Sequence, residues 1–144
     1  MIQDHDLFNN INFKRGLSPV AATTDNTAYV SQILDMQGLS GAVFAIITGS
    51  LADADATFAV TADESDASDL SGSNAVNAVD LLGTTTLAGF TFANDDSVFK
   101  LGFRNSGKRY KRVTITPSNN TGNAFINGVW ITAPLLVPAP NPPA

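Results

Sequence analysis

The sequence predicts an all-β fold, a single-domain jelly roll or other Greek-key β-sandwich or barrel. From residue 28 onward, about seven or eight short runs rich in β-branched and aromatic residues alternate with clusters of Gly, Asn, Asp and Ser, as is typical of sandwiches and barrels. The chain of 144 residues suits one domain and is long enough to bury a core of its own. Because the jelly roll and other Greek-key barrels share this alternation and spacing, the sequence does not separate them.

The chain divides at residue 27, where its character changes. Residues 1–27 mix polar side chains with a few apolar ones, and we expect an irregular N-terminal arm. The β domain follows over 28–133. Its first run, Ala28–Leu34, alternates as a strand buried on one side and partly on the other. The next, Ala42–Thr48, reads AVFAIIT, and its β-branched and aromatic content predicts a central strand covered on both faces.

The middle of the chain is acidic. An acidic turn at Leu51–Asp55 leads into Ala56–Ala62, which alternates as a strand, and we expect this strand to form a hairpin with the preceding one. The least hydrophobic stretch, Asp63–Asn77, is rich in Ser and Asp and contains Gly72, which predicts a long surface loop. Apolar character resumes over Leu81–Phe92.

The last third of the chain predicts three strands and a tail. Val98–Phe103 alternates as a strand, and Arg109–Thr116 forms a second strand that we expect to end at Pro117, which has no amide donor. This strand and Ala124–Thr132 are expected to form a hairpin. In residues 134–144, five of eleven residues are proline, which predicts an extended tail.

Charge is distributed unevenly along the chain. No Lys or Arg occurs between Arg15 and Lys100, while residues 53–96 hold nine of the thirteen acids, and six of the eight bases lie within 100–112. This separation predicts two surfaces of different charge. The net charge of −5 argues against nucleic acid as a partner, because phosphate binding requires a dominant basic face. The longest apolar run, 41–48, is too short to cross a membrane as a helix.

No motif for catalysis, cofactor binding or metal binding occurs. The single histidine, His5, lies between two aspartates near the N-terminus, and no G-x-S-x-G elbow or phosphate-binding glycine loop is present, so we expect no enzyme and no cofactor. The acidic loop does not have a glycine and a terminal acid at the spacing of a calcium loop, so we expect no metal. Asn119–Thr121 matches a glycosylation acceptor, but the N-terminus lacks the pattern of an export signal, and we interpret this segment as a turn.

The basic stretch KRYKR at Lys108–Arg112 has two interpretations. In a strand its charges lie on both faces, which suits a sheet edge or the start of a strand. Alternatively, it forms an electrostatic patch for an acidic protein surface or, less consistent with the net charge, for nucleic acid. The predicted partner-binding residues are Lys108, Arg109, Lys111 and Arg112.

Three segments of the chain resemble a family of small head proteins of tailed phages and prophages. They are Ser50–Phe58 (SLADADATF), Asp80–Thr84 (DLLGT) and Lys108–Pro117 (KRYKRVTITP), and the similarity extends over about residues 29–130. These segments carry no chemistry, so they indicate relationship rather than mechanism.

The resemblance implies a capsid cement, or decoration, protein of the bacteriophage virion. Such a protein is a small β-barrel or jelly roll that assembles in the host cytoplasm, binds the outer surface of the head as a homo-oligomer, a dimer or trimer, and bridges neighbouring subunits of the major capsid protein. On this hypothesis the arm and the tail are tethers that order against a neighbour, and no membrane or nucleic acid is a partner. Many weak identical contacts would sum through multivalency.

The alternative is a carbohydrate-binding or fibre-like adhesion protein of the virion, also a β-sandwich. It would use an aromatic platform such as Trp130 or Tyr110 with Asn and Asp partners. The sequence favours a core position for Trp130, beside Ile126. A cement protein is expected in hundreds of copies on a shell, whereas an adhesin is expected to bind a glycan as a purified protein.

Overall fold

Two antiparallel sheets pack face to face in the structure, a computed structural model that describes residues 6–18 and 21–135. Within these ranges, one short helix precedes the first strand, and a second short helix and one 3-10 turn connect later strands. The strands are β1 (Asn12–Leu17), β2 (Tyr29–Val30), β3 (Leu34–Asp35), β4 (Leu39–Leu51), β5 (Thr57–Ser65), β6 (Asn74–Ala75), β7 (Leu81–Leu82), β8 (Phe90–Thr91), β9 (Val98–Arg104), β10 (Tyr110–Ser118) and β11 (Ala124–Pro134). The helices are α1 (Leu7–Asn10) and α2 (Thr85–Ala88), and the 3-10 turn is Ala78–Asp80.

The first sheet has the order β1-β11-β4-β9-β7, and the second has the order β2-β10-β5-β6, with β3 also paired to β10 and β8 to β5. The predicted all-β sandwich is confirmed. The predicted central position of residues 42–48 is also confirmed, because β4 lies between β11 and β9. The expected cover on both faces is wrong: Phe44 and Ile46 are buried on the inner face, whereas Ile47 on the outer face is 42% exposed.

The core lies between the sheets and is rich in aromatic rings. The ring of Trp130 meets that of Phe44 edge-on at 4.8 Å between centroids, and its Nε1 donates a hydrogen bond of 3.1 Å to the Gln32 carbonyl. Gly128 leaves room for the Phe44 ring, because a Cβ at this position would lie 2.5 Å from the Phe44 Cζ. Trp130 is 1% exposed, which confirms its core position.

Both predicted hairpins are wrong, because the chain passes from one sheet to the other at each turn. β4 belongs to the first sheet and β5 to the second; β10 belongs to the second and β11 to the first. Both edges of β4 are already occupied, by β11 and β9, so β5 pairs with β10 instead. A hairpin and a crossing between sheets show the same alternation in each strand, and sequence pattern alone does not distinguish them.

Pro117 does not end its strand. β10 continues to Ser118, and Pro117 lies opposite Phe58 of β5. The Val113 carbonyl, four residues earlier, accepts from Ser31 on the other side of the strand, so by alternation the nitrogen of Pro117 also faces away from β5. Because β2 pairs only with Thr114 and Ile115, no strand stands opposite that nitrogen and no ladder bond is lost.

The sandwich begins earlier than residue 28. β1, inside the expected arm, forms the edge of the first sheet, with Asn12 opposite Thr132 and a bulge between Arg15 and Leu17. Its few apolar residues are enough because a strand of a two-layer sandwich buries only one of its faces. The expected loop over 63–77 likewise contains the end of β5 and the short strand β6. The predicted tail begins inside β11, and residues 136–144 lie outside the described part of the chain.

Candidate functional site

The predicted basic cluster pairs with carboxylates of the same chain. Because β5 and β10 are neighbours, the acid-rich and base-rich stretches lie side by side rather than on two surfaces. That expectation of two separately charged surfaces is therefore wrong for these segments. The four ion pairs are Lys108 with Asp66 at 3.7 Å, Arg109 with Asp35 at 2.7 Å, Lys111 with Glu64 at 2.6 Å and Arg112 with Asp63 at 3.7 Å.

Lys111 points into the sandwich. Its side chain is fully buried, and its Nζ donates to Glu64 Oε2 and, at 2.9 Å, to the Ser106 carbonyl. Glu64 Oε2 also accepts from the Lys108 backbone N–H at 3.2 Å, so this pair holds the turn between β9 and β10. Lys111 is inaccessible to a partner in this fold, and any docking role of the predicted cluster would fall on its other three members.

Arg109 covers the ring of Tyr110 and binds Asp35 in two places. Its Nε and Nη2 donate to the two carboxylate oxygens at 2.8 and 2.7 Å, and its guanidinium lies 5.0 Å from the Tyr110 ring centroid. These hydrogen bonds from Arg109 hold the pKa of the Asp35 carboxyl below its ordinary value. Tyr110 therefore presents no open ring face at this side for stacking on a sugar.

The turn predicted at Asn119–Thr121 is confirmed. Asn119 has a positive φ of 58°, and the buried Asn120 side chain donates to the carbonyls of Thr23 and Asp25. Both the backbone N–H and the hydroxyl of Thr121 donate to Asp53, at 2.6 and 2.8 Å. Hydrogen bonds from the Asp55 amide and then from Thr121 lower the pKa of Asp53. The carboxylate of Asp53 thus orders this turn.

Within residues 6–18 and 21–135, no three His, Asp or Glu side chains are grouped as metal ligands. His5 lies outside the described residues. In the same described ranges, no helix is both long and apolar enough to span a membrane.

The outward side of the first sheet forms a continuous surface of four cross-strand rows. Alternate strand residues point to opposite faces, and directly opposed residues share a face. Phe44 and Ile46 point into the core, so the residues between and beside them point outward. We call these rows the outer face of the first sheet. They are Asn127, Ile47 and Val98; Arg15, Val129, Ala45 and Lys100; Phe13, Ile131, Val43, Gly102 and Leu82; and Ala133, Gly41 and Arg104.

This face is apolar yet open to solvent. Ile47, Phe13 and Val98 are 42%, 46% and 67% exposed. Two grooves of about 540 and 410 Å³ cross it, and they are neighbours because Val43 and Leu82 line both. Small residues such as Gly102 leave space at the bottom of the grooves. Exposed apolar patches of this kind mark interaction sites.

The outer face of the second sheet has a different character. Its exposed rows consist mainly of threonine hydroxyls on β5 and β10, together with the ion pair between Asp63 and Arg112. They include Thr57, Thr61, Thr114 and Thr116. Only the first sheet therefore presents a broad apolar surface among the described residues.

The sequence did not identify this face in advance, although the alternation within β9 was one indication of it. The alternation of Val98, Lys100 and Gly102 against Phe99, Leu101 and Phe103 already separated an outward from an inward set on β9. What the sequence could not supply was the register that brings Arg15 and Lys100 into one row across four strands.

No protein-family model matches this chain, and no curated protein is similar to it in sequence. Among solved structures it is similar to a xylan-binding module, at 18% identity over 89% of this chain and 93% of that chain, with a TM-score of 0.40. A second is the C-terminal family 22 carbohydrate binding module of a Clostridium thermocellum protein, at 11% identity over 92% of both chains, with a TM-score of 0.36. A third is a xylanase from Cellvibrio japonicus in complex with xylopentaose, at 15% identity over 87% of this chain and 27% of that chain, with a TM-score of 0.41.

Proposed function

We propose that this chain is a structural protein of a phage head, which binds the outer surface of the capsid through the outer face of the first sheet. The observation that carries this proposal is the apolar character of that face across strands whose inner sides already build the core. The capsid as partner comes from the sequence resemblance, since a general docking face does not by itself identify what it binds.

The size of the face suits a protein contact. Five strands spaced about 4.8 Å apart give a surface roughly 20 Å across, and about six residues of strand cover a similar length. That is a few hundred Å² of mainly apolar surface. Each partner buries roughly 800 Å² in a standard interface, so this surface would supply a large part of one. Burial of such a patch favours association, while the loss of rotational and translational freedom opposes it.

A shell presents the same contact many times. If one copy contacts two neighbouring capsid subunits, parting those subunits also requires the copy to be released, which raises the free energy of separation. A homo-oligomer of this chain would add avidity, because attachment of one copy raises the local concentration of the next. Bridging and oligomerisation are parts of this proposal.

The test is co-sedimentation of the purified protein with cognate heads from which it has been removed, with bound copies counted by quantitative mass spectrometry. Saturation at a fixed high ratio to the major capsid protein, with increased heat resistance of the heads, is the expected result. Binding of no copies, or of a few per particle, would reject the capsid assignment.

A pair of variants localises the contact. The double substitution Ile47→Asp and Val98→Asp places two charges in one row of the outer face of the first sheet, and we expect at least about tenfold weaker binding because each carboxylate must be desolvated. The matched control is Thr61→Asp and Thr116→Asp, which adds the same charge to the exposed surface of the second sheet. Equal occupancy by the two variants would show that the first sheet is not the contact.

Carbohydrate binding is the second candidate, and the two neighbouring grooves that Val43 and Leu82 both line favour it. Polar side chains such as Ser40, Thr84 and Asn105 line the groove system and could bind sugar hydroxyls. Trp130 is buried, however, and Arg109 lies over one face of Tyr110, so these two rings do not line the grooves as an open platform. Isothermal titration with soluble xylan, followed by a glycan array, tests this candidate. Saturable binding that Val43→Trp blocks would support it, and the absence of binding to any glycan would reject it.

A further inference from the structure

We propose that the outer face of the first sheet binds a protein surface whose apolar centre is bordered by carboxylates, and that Arg15, Lys100 and Arg104 are the electrostatic contacts. The proposal deepens the proposed function, because it concerns the same face and specifies the chemistry of its partner. It assigns docking to a different set of bases from the one that the sequence predicted.

The first sheet carries only positive charge. Its described strands contain Lys14, Arg15, Lys100 and Arg104, and none of their residues is Asp or Glu. The chain as a whole has a net charge of −5, so this sheet departs from the rest of the molecule. By cross-strand register Arg15, Lys100 and Arg104 point outward, whereas Lys14 lies opposite the inward-pointing Trp130.

These three bases differ from the predicted cluster in their partners. The ion pairs found in residues 6–18 and 21–135 involve Lys108, Arg109, Lys111 and Arg112. Arg15 donates to the Ser18 hydroxyl at 3.2 Å, and neither it nor Lys100 nor Arg104 is ion-paired with a carboxylate in those ranges. All three are exposed, so a partner can reach them.

The bases stand at the margins of the apolar rows. Arg15 and Lys100 end the row that passes through Val129 and Ala45, and three strand spacings of about 4.8 Å separate β1 from β9. Arg104 lies four residues beyond Lys100 on β9, roughly 13 Å along the strand. Apolar side chains thus fill the space between cations, which matches a partner with an apolar centre and an acidic border.

The same face of a second copy does not fit this chemistry. Any symmetric face-to-face contact of two first sheets would bring only cations to the interface, with no carboxylate from either sheet to pair with them. Nucleic acid fits less well than protein, since its backbone would lie against Ile47, Val43 and Ile131 rather than against further bases.

The test compares two variants of the whole chain with the same formal net charge. The first, Arg15→Gln, Lys100→Gln and Arg104→Gln, removes the three bases. The control, Thr57→Glu, Thr61→Glu and Thr116→Glu, adds three acids to the second sheet. All six positions are exposed, and circular dichroism melts check that both variants fold.

The first probe is a chromatographic resin whose ligands combine a phenyl ring with a carboxylate, eluted with a sodium chloride gradient. We expect the wild type and the control to be retained and the Gln variant to elute without retention. Elution of both variants at the same salt concentration, or failure of the resin to retain the wild type, would overturn the proposal.

The second probe is the cognate head, and the third is a fluorescent DNA duplex. On heads, we expect the Gln variant to bind about tenfold more weakly than the control, with a weaker salt dependence. If heads do not bind the wild type while the resin result holds, the capsid assignment fails and the partner chemistry stands. If heads bind both variants equally, the partner chemistry fails.

Binding of the DNA by the wild type but not by the Gln variant would assign the face to nucleic acid instead.

Discussion

At the scale of single residues, the buried pair of Lys111 and Glu64 explains why the KRYKR stretch contains charge that no partner can reach. A strand with bases on both faces must place one of them inward, and here Glu64 on the neighbouring strand and the Ser106 carbonyl satisfy the ammonium group. The inward base is therefore structural, although in the sequence it looks like its neighbours.

Removal of one partner of this pair is expected to be costly. Lys111→Met should lower the free energy of unfolding by about 3–5 kcal/mol, because it leaves the Glu64 carboxylate buried without its counter-ion. The double variant Lys111→Met with Glu64→Leu should recover most of that loss, since no buried charge remains. Urea unfolding at neutral pH measures both. A double variant as unstable as the single one would contradict this account of the pair.

Asp35 makes the stability of the fold depend on pH in the acid range. Because hydrogen bonds from Arg109 lower its pKa, the stabilisation is fully present above the ordinary carboxyl value of about 3.9 and is lost as pH falls through the lowered pKa. Asp35→Asn should therefore reduce stability at neutral pH and flatten the decline below about pH 4. Thermal melts of both proteins across pH 2–7, as a buffer series of about one unit per step, measure this. Parallel curves would contradict it.

At the scale of elements, the sequence predicted strands better than it predicted their partners. Alternation located β4, β5, β9 and the core position of Trp130, because side-chain period depends only on local burial. The hairpins failed because the partner of a strand depends on which of its edges is free, and β4 has both edges occupied. The ion pairs of the predicted cluster could not be predicted, because they depend on which strands lie beside β10, and those strands bring a carboxylate to each of its four bases.

The role of β1 can be tested by truncation. Deletion of residues 1–18 should lower the Tm by roughly 10 °C, because it uncovers the edge of β11 and removes the packing of Gly16 against the Phe44 ring. Deletion of residues 1–10 is the control, since α1 contributes no buried residue. If residues 6–18 formed only an arm, the two truncated proteins would melt alike, and that result would contradict the sheet assignment.

At the scale of the whole molecule, the two sheets divide the surface into a polar side and an apolar, cationic side. Intramolecular ion pairs and threonine hydroxyls occupy the second sheet, while the first sheet presents aliphatic rows bordered by bases. A molecule built this way can attach by one face and leave the other in water. That division gives the proposed attachment a physical basis. The proposal requires that the outer face of the first sheet is covered on the head.

The most direct measurement is cysteine accessibility on decorated heads. The chain has no cysteine, so Val98→Cys on the first sheet and Thr61→Cys on the second each report one face. Val98 is 67% exposed and Thr61 is also exposed, so a maleimide should label both proteins when they are free. On heads, attachment through the first sheet predicts protection of the cysteine at 98 and unchanged labelling at 61. Equal labelling of both, or protection at 61 alone, would contradict attachment through the first sheet.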